Sequence, residues 1–314
     1  MKRQLFVLML LLCGCINGQA QTALSVKLST GAKMDVYRIA KAKPANGRAV
    51  LICPGGGYSY LSMESEGTAW IPYFRDQGYV VIILSYRMPN GVANAPLEDA
   101  KAAMLAIREK GEAWRIANGC VGVMGFSAGG HVASTLATHA DTESGARPDF
   151  QILFYPVITM NPSYTHMGSH DNLLGANASE ELEVLYSNEL QVKNQTPRAF
   201  ITYAANDGTV PPDNSKNYYT ALKEHNVNAY IKEYPTGGHG FGFKTTFTYH
   251  DDVLQELSTW LTELDEEFPN VVKAPTIQKS SSDMIYRMDG VAVGTSWKTL
   301  PSGIYLCNGV KLAK

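Results

Sequence analysis

The sequence predicts an α/β domain: a mostly parallel central sheet with helices on both faces. Three observations lead there. From about residue 49 short apolar runs alternate with helix-length segments, the pattern that right-handed crossover units produce. One run, "YVVIILSY" at 79–86, is continuously apolar and β-branched, as expected of a strand covered on both faces. With 314 residues, 45% of them hydrophobic and 18% charged, the chain can also bury a substantial core.

The elements follow in order. "SVKLSTGAKMDVYRIA" (25–40) supplies an antiparallel strand pair, and "AVLIC" (49–53) a strand that stops at Pro54-Gly55-Gly56-Gly57. After the 79–86 strand, residues 95–117 form a helix with Ala103, Ile107 and Trp114 on one face. "VGVMGF" is the next strand and "GGHVASTLATHA" the next helix. "FQILFYPVI" (150–158), "RAFITYAA" (198–205) and "AYIKEY" (229–234) are three more strands, with helices near 212–225 and 248–266 after the last two. Residues 159–196 are polar and carry no strand; a connection that long in a compact domain is usually functional, here as a partial cover.

Both ends read differently from this body, which spans 21–268. Residues 1–20 have a basic start (Lys2, Arg3) and an apolar run from Leu5 to Leu12, the form of an export signal and too short to span a membrane. Cleavage after Ala20 is the preferred processing; the alternative is a lipobox, Leu12-Cys13-Gly14-Cys15, which would make Cys15 a lipidated N-terminus. Either way the chain is expected outside the cytoplasm, periplasmic or extracellular, without an integral span. Residues 269–283 read as a linker. Residues 284–314 read as a short β-rich tail whose Asn308-Gly309 suits a two-residue hairpin turn. Thirty residues bury little core alone.

Composition also excludes. A net charge of -2 without a Lys/Arg cluster argues against a nucleic-acid surface. Of the five cysteines, two lie in the signal; Cys53, Cys120 and Cys307 form neither a disulfide framework nor a zinc pattern, and the Gly-rich turn at 54–57 is followed by no Lys-Ser/Thr and carries no dinucleotide pattern, so no metal or organic cofactor is expected. Oligomeric state is not legible.

The chemistry is concentrated at strand ends. Gly125, Ser127 and Gly129 complete Gly-x-Ser-x-Gly between a strand and a helix, where a serine sits exposed on a strained turn. A serine hydroxyl needs a base to become a nucleophile, and in this kind of elbow the acid and then the base follow in the chain. Of seven histidines, His225, His239 and His250 lie late enough; His239, in the glycine-rich loop after the last strand, is preferred over two histidines at helix ends. His131 is too near the elbow to turn back and reads as a packing residue. An acid must orient the base: Asp207, at a strand end, is preferred to Asp213, which reads as a helix cap. Oxyanion donors would be the backbone N–H groups of Ala128 and of Gly56 and Gly57 in "CPGGGYSYL".

These motifs together give residues 25–268 a resemblance to the α/β-hydrolase superfamily, esterase/lipase branch. "GFSAGGH", "NDGTVPPDNS" and "GGHGFG" resemble its nucleophile, acid and base segments, while Cys53 stands where that family often has histidine before the glycines. "YPVITM…THMGSHDNLLG" resembles a secreted bacterial subgroup described as acetyl xylan esterase-like or xylanase-related. The resemblance implies a serine carboxylesterase acting on small acyl esters of plant polysaccharide, with Ser127, Asp207 and His239 as its triad. Tyr58, Tyr86, Arg87 and His166 are candidate substrate contacts. Alternatives are a feruloyl esterase, a prolyl-oligopeptidase-like peptidase, and an inactive glycan-binding surface protein. The tail resembles those of exported Bacteroidetes proteins, as a sorting signal or its remnant.

Overall fold

A computed structural model describes residues 23–40, 43–116, 120–141 and 143–267, together with four short strands and Pro301 beyond them. The strands are β1 (Leu24–Lys27), β2 (Lys33–Tyr37), β3 (Ala49–Cys53), β4 (Val80–Ser85), β5 (Val121–Phe126), β6 (Phe150–Phe154), β7 (Arg198–Ala204) and β8 (Ala229–Tyr234). They form one sheet in the order β1-β2-β4-β3-β5-β6-β7-β8. β1 and β2 are antiparallel to each other, and β2 to β4; every pairing from β4 to β8 is parallel. The predicted α/β class and the antiparallel start are both present.

The strand order has a consequence for function. From β3 the chain steps outward to β4, then returns past β3 to place β5 on its other side. The connections leaving β3 and β5 therefore diverge, and the crevice at their C-terminal ends is where ligands bind in open parallel sheets. Two loops end there: "PGGG" from β3 and Ser127 from β5.

The strands β3 to β7 are buried almost throughout, and their residues alternate between two cores. Leu51, Cys53, Val121, Val123 and Ile201 join the core under α2 (Ala95–Trp114) and α3 (Ala128–His139). Val50, Ile52, Met124, Phe126, Phe154 and Phe200 join an aromatic-rich core with Phe74 of α1 (Ile71–Asp76) and Leu257 and Trp260 of α7 (His250–Glu267). Helices on both faces explain why "YVVIILSY" has no polar side.

Several expectations need correction. The strand expected over 150–158 ends at Phe154, because Tyr155 takes φ 36° and Pro156 has no N–H to offer. Asp213 is not a cap: it opens α6 (Asp213–Glu224) as its first residue, after Pro212, with no side-chain capping bond. The polar stretch 159–196 carries two short helices, α4 (Met167–Leu174) and α5 (Glu180–Tyr186), the second capped by Ser179 accepting from the Leu182 N–H. The helix α1 was not anticipated; six residues are too few to display a period.

The expected export signal (1–20) and the expected linker (269–283) lie outside the described residues. In the tail, β9 (Ile285–Arg287), β10 (Ala292–Gly294), β11 (Ile304–Cys307) and β12 (Val310–Ala313) form their own sheet in the order β10-β9-β11-β12. β11 and β12 pair antiparallel on either side of residues 308–309.

Candidate active site

Ser127 stands between the end of β5 and the first residue of α3, with φ 50° and ψ −123°. That conformation is costly for a residue with a Cβ and persists only where surroundings impose it. Here they do: the Ser127 N–H donates to the Phe154 carbonyl, and the Ser127 carbonyl accepts from Val157 and His131. The flanking glycines are steric necessities. A Cβ on Gly129 would collide with the Cys53 carbonyl oxygen, and one on Gly125 with the Gly129 carbonyl.

The Ser127 Oγ lies 2.9 Å from His239 Nε2, and His239 Nδ1 lies 2.7 Å from Asp207 Oδ2. With its proton on Nδ1 donated to the carboxylate, the imidazole leaves Nε2 to accept from the serine hydroxyl. Asp207 is fixed from behind, its Oδ1 accepting the Thr209 and Val210 N–H groups at 2.9 and 3.0 Å. The structure thus brings together the three residues singled out in the sequence, each from a different strand end. His225 and His250 sit at helix ends as expected.

The loop after β3 carries Gly56 and Gly57 at φ 129° and 61°. The Gly55 N–H donates to Glu66, whereas the N–H groups of Gly56, Gly57 and Ala128 have no partner among the described residues. Tyr58, also left-handed at φ 61°, turns its hydroxyl inward, 2.7 Å from His131 Nδ1. The other ring nitrogen of His131 is 2.7 Å from the Tyr186 carbonyl and so carries the proton, leaving Nδ1 to accept from Tyr58. Burial pushes the His131 pKa down to about 4, which keeps the ring neutral. His131 is a packing residue, but one that anchors the glycine loop.

An open cavity of about 440 Å³ lies over Ser127 and His239. Gly56, Gly57, Tyr60, His166, Asn172 and Lys244 are among its other lining residues. Of the candidate substrate contacts, only His166 reaches it. Its Nδ1 is 2.8 Å from the Ser169 hydroxyl, and burial, then the nearby His239, lowers its pKa. Tyr58 and Tyr86 do not line it, both being buried; the Tyr86 hydroxyl donates to the Pro54 carbonyl at 2.6 Å. Arg87 is held by Asp99 at 2.8 Å and lines a separate groove with Pro89 and Asn90. Cys53, at the departure from the histidine pattern, is fully buried, and burial pushes its thiol up to about 12. It packs under the loop with Tyr58 and Tyr86 rather than facing the cavity.

Sequence reasoning missed Glu66, Tyr60, Asn172 and Lys244 at this cavity, and Tyr155 behind it. Asn172 donates to the Gly57 carbonyl at 2.7 Å. Glu66, Tyr60, Lys244 and Tyr155 lie in connections, and Asn172 in the short helix α4, where too few residues display a period to mark which side faces inward.

A doubly covered, mostly parallel sheet with Ser, Asp and His after β5, β7 and β8 defines the hydrolase class of α/β proteins. The chain belongs to the α/β-hydrolase family, whose model matches residues 50–243. It is 36% identical over 289 residues to an acetylxylan esterase of Xylanibacter ruminicola, across 90% of this chain and 59% of that protein. It is 37% identical over 204 residues to endo-1,4-β-xylanase B of Butyrivibrio fibrisolvens, across 61% of this chain and 32% of that protein. It thus spans about three-fifths of the first relative and a third of the second. Among solved structures, the acetyl ester-xyloside bifunctional hydrolase of Caldicellulosiruptor lactoaceticus superposes with a TM-score of 0.69 at 30% identity, covering 74% of this chain and 88% of that one.

Proposed function

We propose that this chain is an exported serine carboxylesterase that removes small acyl groups, chiefly acetyl, from plant polysaccharide such as xylan. The observation that carries the reading is the Ser127–His239–Asp207 chain of contacts, at 2.9 and 2.7 Å, facing an open cavity. Ser127 attacks the ester carbonyl as His239 accepts its proton, and Asp207 stabilises the resulting imidazolium. The N–H groups of Gly57 and Ala128, with Gly56 beside them, receive the charge that develops on the carbonyl oxygen. As the C–O bond breaks, His239 protonates the departing sugar oxygen, which leaves as a hydroxyl, and water releases the acid from Ser127 by the reverse path. The chemistry asks for no cofactor.

The cavity lining favours a small acyl group. A feruloyl ester would call for an aromatic-lined pocket, yet Tyr60 is the one Phe, Tyr or Trp among the described lining residues. The relatives' names, acetylxylan esterase and xylanase, support the polysaccharide, and the residue 1–20 signal supports export. No helix among the described residues is long and apolar enough to cross a membrane.

Turnover of p-nitrophenyl acetate beside a Ser127→Ala control tests the class. The expected loss in Ser127→Ala is at least about 10³-fold; turnover that survives it overturns the reading. Acetate released from acetylated xylan, with little ferulate from feruloylated xylan, is expected for the substrate.

A further inference from the structure

The proposed hydrolysis makes no use of a carboxylate buried beside it. Glu66 edges the cavity but is 5% exposed, and burial raises its pKa despite two hydrogen bonds that favour the charged form. Each oxygen has its own donor: Oε2 accepts the Gly55 N–H at 2.9 Å and Oε1 the Tyr155 hydroxyl at 2.8 Å. The Tyr155 oxygen in turn accepts the Gly242 N–H at 2.8 Å. A second strap runs alongside, from the Phe243 N–H to the Ser65 carbonyl at 2.8 Å.

These donors belong to three separate loops. Gly55 immediately precedes Gly56 and Gly57. Tyr155 opens the loop after β6, where the Val157 N–H holds the Ser127 carbonyl at 3.0 Å. Gly242 lies three residues beyond His239, and the Tyr155 ring packs edge-on against the His239 imidazole, 4.8 Å between centroids. A carboxylate costs free energy to bury, so a group that only filled this space would be better apolar. Two donors converging from different loops need a side chain that is acceptor on both atoms, which an ionised Glu is and a Gln is not.

We propose that Glu66 is a positioning residue: through Gly55 and Tyr155 it fixes the oxyanion loop and the His239 loop relative to Ser127. The proposal rests on the esterase reading. Its test is the steady-state kinetics of Glu66→Gln and Tyr155→Phe on p-nitrophenyl acetate, with a boronic acid as a tetrahedral-adduct inhibitor. For Glu66→Gln, kcat is expected to fall about 10- to 100-fold with KM within about twofold, because a small displacement of donors penalises the transition state selectively. The boronic acid's inhibition constant should rise by a comparable factor. Tyr155→Phe, which removes one hydroxyl, should lose less, and the double variant little more than the worse single one.

Unchanged kcat with a lowered melting temperature makes Glu66 a structural brace only and overturns the proposal. So does a rise confined to KM, which would make it a substrate contact. If Glu66→Gln fails to fold, Tyr155→Phe decides on the same criteria. A wild type without Ser127-dependent turnover fails the esterase reading before any Glu66 variant is compared, and the proposal falls with it.

Discussion

Tyr60 is 64% exposed, and its ring lies over Gly56 at the edge of a cavity otherwise lined by small and polar residues. An aromatic face left in water beside serines and an asparagine suits the apolar face of a sugar ring, whose hydroxyls the polar groups can meet. Tyr60→Ala should therefore raise KM for acetylated xylo-oligosaccharides several-fold, leaving KM for p-nitrophenyl acetate nearly unchanged. Equal effects on both would place the ring against the acyl group instead. At the same scale, His131 makes stability depend on pH. Its native pKa is depressed to about 4 from 6.5, so between these values the unfolded chain binds the proton and the native state does not. This contribution is fully present above about pH 6.5 and is lost as pH falls toward 4, by about 3 kcal/mol in total. Urea midpoints at pH 7 and pH 5 should separate less in His131→Asn than in wild type; equal separations would contradict a buried neutral imidazole.

The β5–Ser127–α3 unit can be tested through its glycines. Gly129→Ala drives a methyl into the Cys53 carbonyl, a collision with backbone that no rotamer relieves. It should cost at least about 3 kcal/mol or abolish folding. Gly208→Ala, with no atom within 4 Å of its added Cβ, should stay within about 0.5 kcal/mol and serves as the control. Denaturant melts of both variants check this, and a Gly129→Ala protein of normal stability would refute the packing account. The contrast also explains what could be read in advance. Ser127, Asp207, His239 and Gly56–Gly57 were legible because each sits where an apolar strand meets a glycine-rich or turn-forming stretch, a local signal. Glu66 and Tyr155 were not: "SMESEGTAW" reads as a polar connection, and Tyr155 hides inside the apolar run "FQILFYPVI". Their importance arises from contacts across 89 residues of chain. Tyr58, Tyr86 and Arg87 erred in the opposite sense, being polar-tipped residues near strand ends whose tips are already engaged by the protein itself.

For the whole molecule, the described residues that line the cavity and those that form the tail sheet come from different stretches of the chain. Every residue lining the cavity lies between Gly56 and Lys244, and both cores of the eight-stranded sheet are built from residues between Leu28 and Leu264. The four tail strands pair only with one another and lend no strand to that sheet. A chain ending at Glu267 keeps α7, whose Val253, Leu257, Trp260, Leu261 and Leu264 close the aromatic core. It should therefore fold, with kcat and KM on p-nitrophenyl acetate within about twofold of the full chain, since none of the described residues that line the cavity is removed. Export is a separate matter: if the tail is a sorting signal, the shortened protein should fail to reach the cell surface while retaining its activity in lysate. Loss of that activity on truncation would mean that the tail stabilises the hydrolase body, and the division of the chain at 268 would have to be redrawn.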